Sequence, residues 1–139
     1  MIDLLGPDRG LKRLSVTPID INALERPPVV HADDPLTEAR QMLDGRWNRV
    51  IVIDRSGKPV GELTKDGADG DGRVADRARP FDAVIGADRT LYDAFSQMLI
   101  HQAIWVAVID GDQFRGVLTP ESFVAAIQRV PAELEGARR

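Results

Sequence analysis

The residues best suited to chemistry are few, and their spacing assembles no reactive site. The chain has two histidines, His31 and His101, and no cysteine, so a tetrahedral zinc site lacks its further nitrogen or sulfur ligands. No nucleophile-elbow motif presents a serine beside either histidine. Both histidines are therefore predicted to be surface residues.

Motifs that bind phosphate or calcium are absent or incomplete. No Gly-x-x-x-x-Gly-Lys-Ser/Thr phosphate loop occurs, so the chain is predicted to be no enzyme and to hydrolyse no ATP. Asp66, Asp69 and Asp71 are spaced loosely like a calcium loop, but the glycine at its sixth position and its distant glutamate are missing. The sequence therefore predicts no metal and no required cofactor.

The composition excludes several classes of partner. With 139 residues and a formal net charge of -4, the chain lacks the clustered basic face that a nucleic-acid binder needs. No apolar run approaches the ~18 residues of a membrane span, so no direct membrane insertion is expected. The start resembles no signal peptide, and the absence of cysteine suits a cytoplasmic location. The short basic clusters are expected to be solvated surface charge: Lys12-Arg13, Arg46 with Arg49, and Arg138-Arg139.

An internal repeat indicates how the chain is organised. The two halves align at a separation of 55 residues through the first strand and helix, at 56 through the next strand, and again at 55 beyond a turn. The matched pairs include Val29 with Val84, Leu36 with Leu91, Ala39 with Ala94, Val50 with Val106, Asp54 with Asp110, Gly61 with Gly116, and Thr64 with Thr119. An ordered set of matches predicts two copies of one β-α-β-β-α unit.

The strands of each copy are continuous apolar runs. Val50 to Ile53 and Trp105 to Ile109 predict strands buried on both faces, which turn back into Pro59 to Leu63 and Phe114 to Leu118. A unit of about 55 residues buries too little apolar surface to be stable alone. We therefore predict an α+β fold in which two units with small mixed sheets and helices share a core about a pseudo-twofold axis.

The helices follow turns that contain Asp33 or Asp88, a residue type that caps helix starts. Their apolar residues recur with helical spacing and predict an inner face; these are Leu36, Ala39, Met42 and Leu43 in the first copy and Leu91, Ala94, Phe95, Met98 and Leu99 in the second. The second copy is predicted to add a helix that opens at Thr119-Pro120, has Phe123, Val124, Ile127 and Val130 on its inner side and ends at Pro131.

The first copy departs from the repeat where its second helix should stand. Each glycine costs a helix about 1 kcal/mol relative to alanine, and the segment 66–72 contains three glycines. It is predicted to be a mobile loop, followed by a link from Val74 to Phe81.

The doubled pattern of a Val-rich strand ending in Asp and then Gly-x-Leu-Thr resembles the cystathionine-β-synthase (CBS) domain. The resemblance is carried by Val50 to Asp54 with Gly61 to Thr64, and by their counterparts Val106 to Asp110 with Gly116 to Thr119. CBS domains occur as tandem pairs that bind adenine nucleotides. The resemblance thus implies a first repeat over 28–80 and a second over 81–130, between a leader 1–27 and a tail 131–139.

The leader adds a second resemblance. Gly6 to Leu14 is similar to the segment that joins the ATPase and the CBS pair in ATP-binding subunits of glycine-betaine (osmoprotectant) ABC importers; the alternative is a turn before a basic amphipathic stretch. This resemblance implies an attached ABC ATPase, a membrane permease reached through it, and a place peripheral to the inner membrane. The imported solute would be glycine betaine, choline, carnitine or proline, and CBS pairs generally form homodimers through exposed helices.

The resemblance also implies ligand-binding residues. In CBS pairs backbone groups beside the first strand of each copy hold the base, here at Val30, Ile85 and Gly86. A threonine after the third strand contacts phosphate, and Thr64 and Thr119 match it; capping of a helix or turn is the alternative for both. An aromatic face with a guanidinium suits a base and a phosphate, which makes Trp47 and Arg49 candidates. Trp47 is equally an interface candidate, whereas Trp105 is expected in the core.

One feature of the CBS ligand site is missing. The ribose-binding aspartate should lie three residues beyond each threonine, where this chain has Gly67 and Ser122. Tight binding of AMP or ATP in the usual cleft is therefore in doubt, and cyclic di-AMP across a dimer interface stays open. The leading hypothesis is a regulatory, ligand-sensing pair that controls an osmoprotectant transporter ATPase. The alternatives are a structural dimerisation module with vestigial clefts and, from another class, a small-molecule enzyme.

Overall fold

The strands form two three-stranded sheets with the same internal order, β1-β2-β3 and β4-β5-β6. The computed structural model describes residue 12, residues 14–43 and residues 45–137, the part from 129 on by its backbone alone. The strands are β1 (Val29–His31), β2 (Arg49–Ile53), β3 (Pro59–Thr64), β4 (Val84–Gly86), β5 (Val106–Asp110) and β6 (Gln113–Leu118). The helices are α1 (Leu36–Met42), α2 (Val74–Arg77), α3 (Leu91–His101) and α4 (Pro120–Ala137), with 3-10 turns at Ile21–Ala23 and Asp66–Ala68.

The pairing registers confirm the predicted repeat. The first strand of each sheet is parallel to the second, with Val29 opposite Ile51 and Val84 opposite Ala107. The third strand is antiparallel to the second in both sheets, and both ladders shift register at the same place, after Val52 and after Val108. The predicted α+β fold, with two small mixed sheets packed with helices, is thus confirmed.

The central strands are buried on both faces because each lies between two cores. Val50 and Val52 of β2 belong to the core of the first unit, whereas Ile51 points the other way and packs with Trp105 and Val117 of the second unit. Successive strand residues face opposite sides of a sheet, so a strand between two cores has no polar face. The continuous apolar runs follow from this placement. Trp105 lies just before β5 rather than within it.

Each sheet is extended at its outer edge by a segment that leads into the other unit. Glu25 exchanges two backbone hydrogen bonds with Val117 of β6, and Arg79 exchanges two with Glu62 of β3. The repeated glycine of the Gly-x-Leu-Thr motif makes this approach possible. A Cβ on Gly61 would lie 2.1 Å from the Arg79 carbonyl oxygen, and one on Gly116 would lie 2.7 Å from the Cβ of Leu24.

Residues before β1 pack into the second unit. Leu14, Ile19 and Leu24 are buried in the core formed by α3, α4 and β4-β5-β6, and the amide of Leu91 donates to the Thr17 carbonyl oxygen. Part of the segment that the sequence assigned to a leader, 1–27, is therefore core of the second unit. The leader motif Gly6 to Leu14 lies outside the described residues except for Lys12 and Leu14.

The helices differ from expectation at three side chains and one end. Met42, Leu99 and Val124 were predicted on inner faces but are exposed. The 100° step of a helix puts them at or beyond the edge of an apolar stripe that is only about 100° wide. Pro131 was predicted to end the last helix, which instead continues to Ala137. Ala132, Glu133 and Leu134 are strong helix formers and favour continuation despite the missing amide. The side chain of Val130 lies outside the described residues.

The segment after β3 has more structure than a loop and a link. Asp66–Ala68 is a 3-10 turn and Val74–Arg77 a short helix. Ala68 and Val74 are buried in the first core. The guanidinium of Arg40 donates to the carbonyl oxygens of Ala68 and Gly70. The glycines prevent a long helix, as predicted. The hydrogen bonds from Arg40 hold this segment against the first unit, a contact that the hydrophobic periodicity of the sequence cannot indicate.

Candidate ligand-binding site

The two units meet through an aromatic and aliphatic contact. Ile51 of β2, Trp105 and Val117 of β6 are buried together, with Phe81 and Phe114 partly buried around them. The Trp47 and Trp105 rings lie 6.3 Å apart at an interplanar angle of 47°, within the range of favourable aromatic pairs. Trp105 is a core residue, as expected, and Trp47 lies at the interface between the units.

A buried carboxylate links the units beside this contact. Glu62 of β3 is 0% exposed and accepts from the Arg49 guanidinium and, at 3.2 Å, from the Trp105 indole nitrogen. Arg49 also lies 3.5 Å from Asp82, which pairs with Arg79 at 2.8 Å. Arg49 therefore neutralises a buried charge. The alignment of the two copies indicates that Glu62 is unusual, because this charged residue stands where the second copy has the apolar Val117.

Thr119 lies at the start of α4 in a second polar cluster. Its hydroxyl donates to a carboxylate oxygen of Glu25 and accepts from the amide of Ser122 at 3.3 Å. The Ser122 hydroxyl in turn accepts from the Thr119 amide at 3.0 Å. The other oxygen of Glu25 is 3.6 Å from the guanidinium of Arg46. The capping alternative for Thr119 thus has direct geometric support.

Arg46 connects this cluster to the aromatic pair. Its guanidinium carbon lies 4.9 Å from the centroid of the Trp47 ring, which is cation–π distance. Trp47 and Thr119 are therefore brought to one region through Arg46 and Glu25. Neither Arg46 nor Glu25 was among the candidate residues, since Glu25 is 94 residues from Thr119 along the chain.

Thr64, the counterpart in the first unit, has simpler surroundings. Its hydroxyl accepts from the amide of Gly67 at 3.2 Å and so closes the turn after β3. No carboxylate from the described residues contacts it.

The candidate base-binding positions are separated from these clusters. The side chain of Val30 is buried in the first core. Ile85 and Gly86 line an open groove of about 480 Å³ at the ends of β4 and β5, together with Asp88 and Asp110. A groove with two carboxylates repels phosphate, so its charge does not suit a nucleotide.

A different cavity has the opposite charge. It measures about 230 Å³ and lies between the units, where Pro27 and Val29 face Phe114, with Arg26 and Arg115 on its walls. The sequence does not reveal this cavity, because its two sides are about 85 residues apart along the chain, although the segment beside the first strand was predicted to hold a base. We call it the arginine cleft.

Among the described residues, nothing groups three or more potential metal ligands. His31 is exposed beside Asp34, with 3.7 Å between Nδ1 and the carboxylate, and His101 is exposed at the end of α3. Both are surface residues, as predicted. Within the same residues no helix is long and apolar enough to cross a membrane.

Comparison with known proteins supports the fold. The CBS domain family model matches residues 20–67, and no curated protein matches the chain. A CBS domain pair/ACT domain protein from Thermotoga maritima is 21% identical, with a TM-score of 0.66 over 79% of this chain and 96% of its own. Staphylococcus aureus OpuCA is 17% identical, with a TM-score of 0.67 over 78% and 98%. CBSX2 in complex with AMP is 20% identical, with a TM-score of 0.68 over 81% and 98%. The fold is that of a CBS domain pair.

Proposed function

We propose that this chain is a non-catalytic regulatory module that binds an adenine nucleotide in the arginine cleft between its two units. The observation that carries the proposal is the cleft itself, where an apolar floor of Pro27, Val29 and Phe114 lies between two arginines. A base is a flat apolar surface with polar edges, and a phosphate needs cationic donors. The cleft supplies both.

The arginines of the cleft are available to a ligand. Both are exposed. Arg26 has no ion-pair partner among the described residues, and Arg115 has one exposed partner, Asp110, at 3.4 Å. An exposed pair of this kind contributes at most about 1 kcal/mol, so phosphate competes readily for the guanidinium.

The volume of the cleft bears on the class of nucleotide. At about 230 Å³ it is smaller than the roughly 300–1,000 Å³ typical of ligand pockets. We therefore propose a mononucleotide such as AMP, or one half of cyclic di-AMP whose other half lies in a second copy. The AMP complex of CBSX2 shows that a protein of this fold binds such a ligand.

Calorimetry on the full chain tests this proposal. AMP, ADP, ATP and cyclic di-AMP are titrated to measure affinity. In thermal unfolding, a ligand at 100-fold its Kd should stabilise the fold by about 2.7 kcal/mol. Each charge-assisted hydrogen bond contributes about 1.5–3 kcal/mol, so Arg26→Met and Arg115→Met should each weaken binding at least about tenfold. Arg55→Met, an exposed arginine outside the cleft, is the matched control. Binding that is unchanged in both cleft variants would contradict the placement.

A structural dimerisation module remains the second candidate, and a specific observation favours it. The hydroxyls of Thr64 and Thr119 already have partners within the chain. Meanwhile Leu99, Ile100 and Ile104, at the end of α3 and just beyond it, are 46–69% exposed. Sedimentation of the chain with and without Leu99→Asp and Ile100→Asp measures whether this face joins two copies. A dimer that binds none of the four nucleotides would establish the structural candidate.

We further propose that the module controls an ABC importer of osmoprotectants. The support is the resemblance of Gly6 to Leu14 to an ATPase-to-CBS connection and the likeness of fold to OpuCA. Exchanging Arg26 and Arg115 for methionine in the host should alter glycine betaine uptake under osmotic stress and leave Mg²⁺ uptake unchanged. The reverse pattern would assign the module to a different transporter.

A further inference from the structure

The edge segments of the two sheets carry residues of opposite charge at equivalent positions. In the second unit the edge segment pairs through Glu25 with Val117, and Val117 lies two residues before Thr119. In the first unit the equivalent segment pairs through Arg79 with Glu62, and Glu62 lies two residues before Thr64. The same backbone geometry therefore places a glutamate in one edge segment and an arginine at the equivalent position of the other. The Glu25 carboxylate reaches Thr119, whereas the Arg79 guanidinium pairs with Asp82.

The carboxylate of Glu25 occupies the place that an anion would take at the start of α4. One oxygen accepts from the Thr119 hydroxyl and lies 3.5 Å from that of Ser122. The other lies 3.6 Å from Arg46. Two hydroxyls and a guanidinium that converge at the start of an 18-residue helix form an anion-binding arrangement, and its anion is part of the chain.

Glu25 is held firmly in this position. Its backbone makes both hydrogen bonds of the bridge to Val117, and the segment lies against the bare Cα of Gly116. Its side chain is 32% exposed, so the carboxylate faces the solvent that an incoming ligand would replace. A phosphate would have to approach this charge as well as displace it.

We propose that Glu25 is a specificity residue that closes the Thr119 site to phosphate, so that each chain binds one nucleotide in the arginine cleft rather than two. This inference rests on the proposed function for the first ligand only. Repulsion between a carboxylate and a phosphate about 4–5 Å apart lowers affinity by about tenfold or more at the effective dielectric constant of a protein surface. Removing the charge should therefore create a second site.

Calorimetric titration of AMP into the full chain and into Glu25→Gln tests this. Glutamine keeps an oxygen for Thr119, so the fold is retained, which the melting temperature checks. We expect one AMP per chain for the original protein and two for Glu25→Gln, with Glu38→Gln as an exposed control that behaves like the original. Two AMP per chain in the original protein, or one in Glu25→Gln, would overturn the inference.

Inorganic phosphate separates this inference from the proposed function. Binding to the protein broadens the ³¹P NMR line of inorganic phosphate. We expect this broadening to be at least about tenfold greater with the double variant Glu25→Gln/Arg115→Met than with Arg115→Met alone. That result supports the Thr119 site even if no AMP binds the original chain, an outcome that refutes the arginine cleft only. Equal broadening in the two variants overturns the role of Glu25 whatever the arginine cleft does.

Discussion

Replacing Arg49 by methionine separates a structural role for this arginine from a ligand-binding one. In the structure its guanidinium pairs with Glu62, whose side chain is 0% exposed, and is itself only 18% exposed. Methionine keeps the apolar stem and removes the charge. The buried carboxylate would then retain the Trp105 indole N–H as its side-chain donor.

The expected loss follows from burial. Removing one partner of a buried ion pair costs about 3–5 kcal/mol, because the remaining charge stays out of water. With about 2.1 cal/mol/K of unfolding entropy per residue, a chain of 139 residues has about 0.3 kcal/mol/K in total. The melting temperature of Arg49→Met should therefore fall by about 10–17 °C.

Urea unfolding and calorimetry measure this loss, and the chain contains its own control. Arg55 pairs with Asp33 at 2.7 Å but is 90% exposed, so Arg55→Met should cost less than about 1 kcal/mol. The double variant Arg49→Met/Glu62→Met should regain most of the lost stability. About 1–3 kcal/mol should remain lost because the indole N–H is left without an acceptor. A loss for Arg49→Met no larger than for Arg55→Met would refute the structural role of the Arg49–Glu62 pair. Lost nucleotide affinity at full stability would restore Arg49 as a ligand residue.

Further predictions concern the edge segments and one capping residue. Gly61→Ala should destabilise the chain by several kcal/mol or prevent folding, because its Cβ would lie 2.1 Å from the Arg79 carbonyl oxygen, while Gly67→Ala, whose nearest contact is a threonine hydroxyl at 3.3 Å, should be tolerated; denaturant midpoints compare the two. The hydrogen bond from Arg89 holds the pKa of the Asp93 carboxyl below its usual value. Stability from this group is therefore present above the unfolded pKa near 3.8 and is lost as pH falls through the lower folded value. Arg89→Met should raise the pKa of Asp93 in a ¹³C NMR titration, and an unchanged value would show that the backbone amide alone sets it.

The repeat was predictable because it is a local pattern written twice. The alignment steps from 55 to 56 residues and back, and the structure explains the return. Six positions separate the paired residues Ile53 and Pro59, and five separate Ile109 and Phe114, so the first hairpin is one residue longer. The continuous apolar runs were equally informative, since only a strand between two cores lacks a polar face.

The polar contacts between units were not predictable in the same way. Glu25 and Thr119 meet although they are 94 residues apart, and the Trp105 indole nitrogen reaches Glu62 from 43 residues away. Such pairs have no spacing rule, because they depend on how two finished units pack. The sequence therefore indicated that Thr119 lies near a helix start, but not that its hydroxyl already donates a hydrogen bond to Glu25.

We propose that the ligand binds in the cleft between the two units and not within either unit alone. Amide chemical-shift mapping of the full chain during titration with AMP tests it most directly. We expect saturable shifts at Arg26, Val29, Phe114 and Arg115, on both sides of the arginine cleft at once. Shifts confined to the groove lined by Gly86 and Asp88, or no shifts at millimolar AMP, would contradict it.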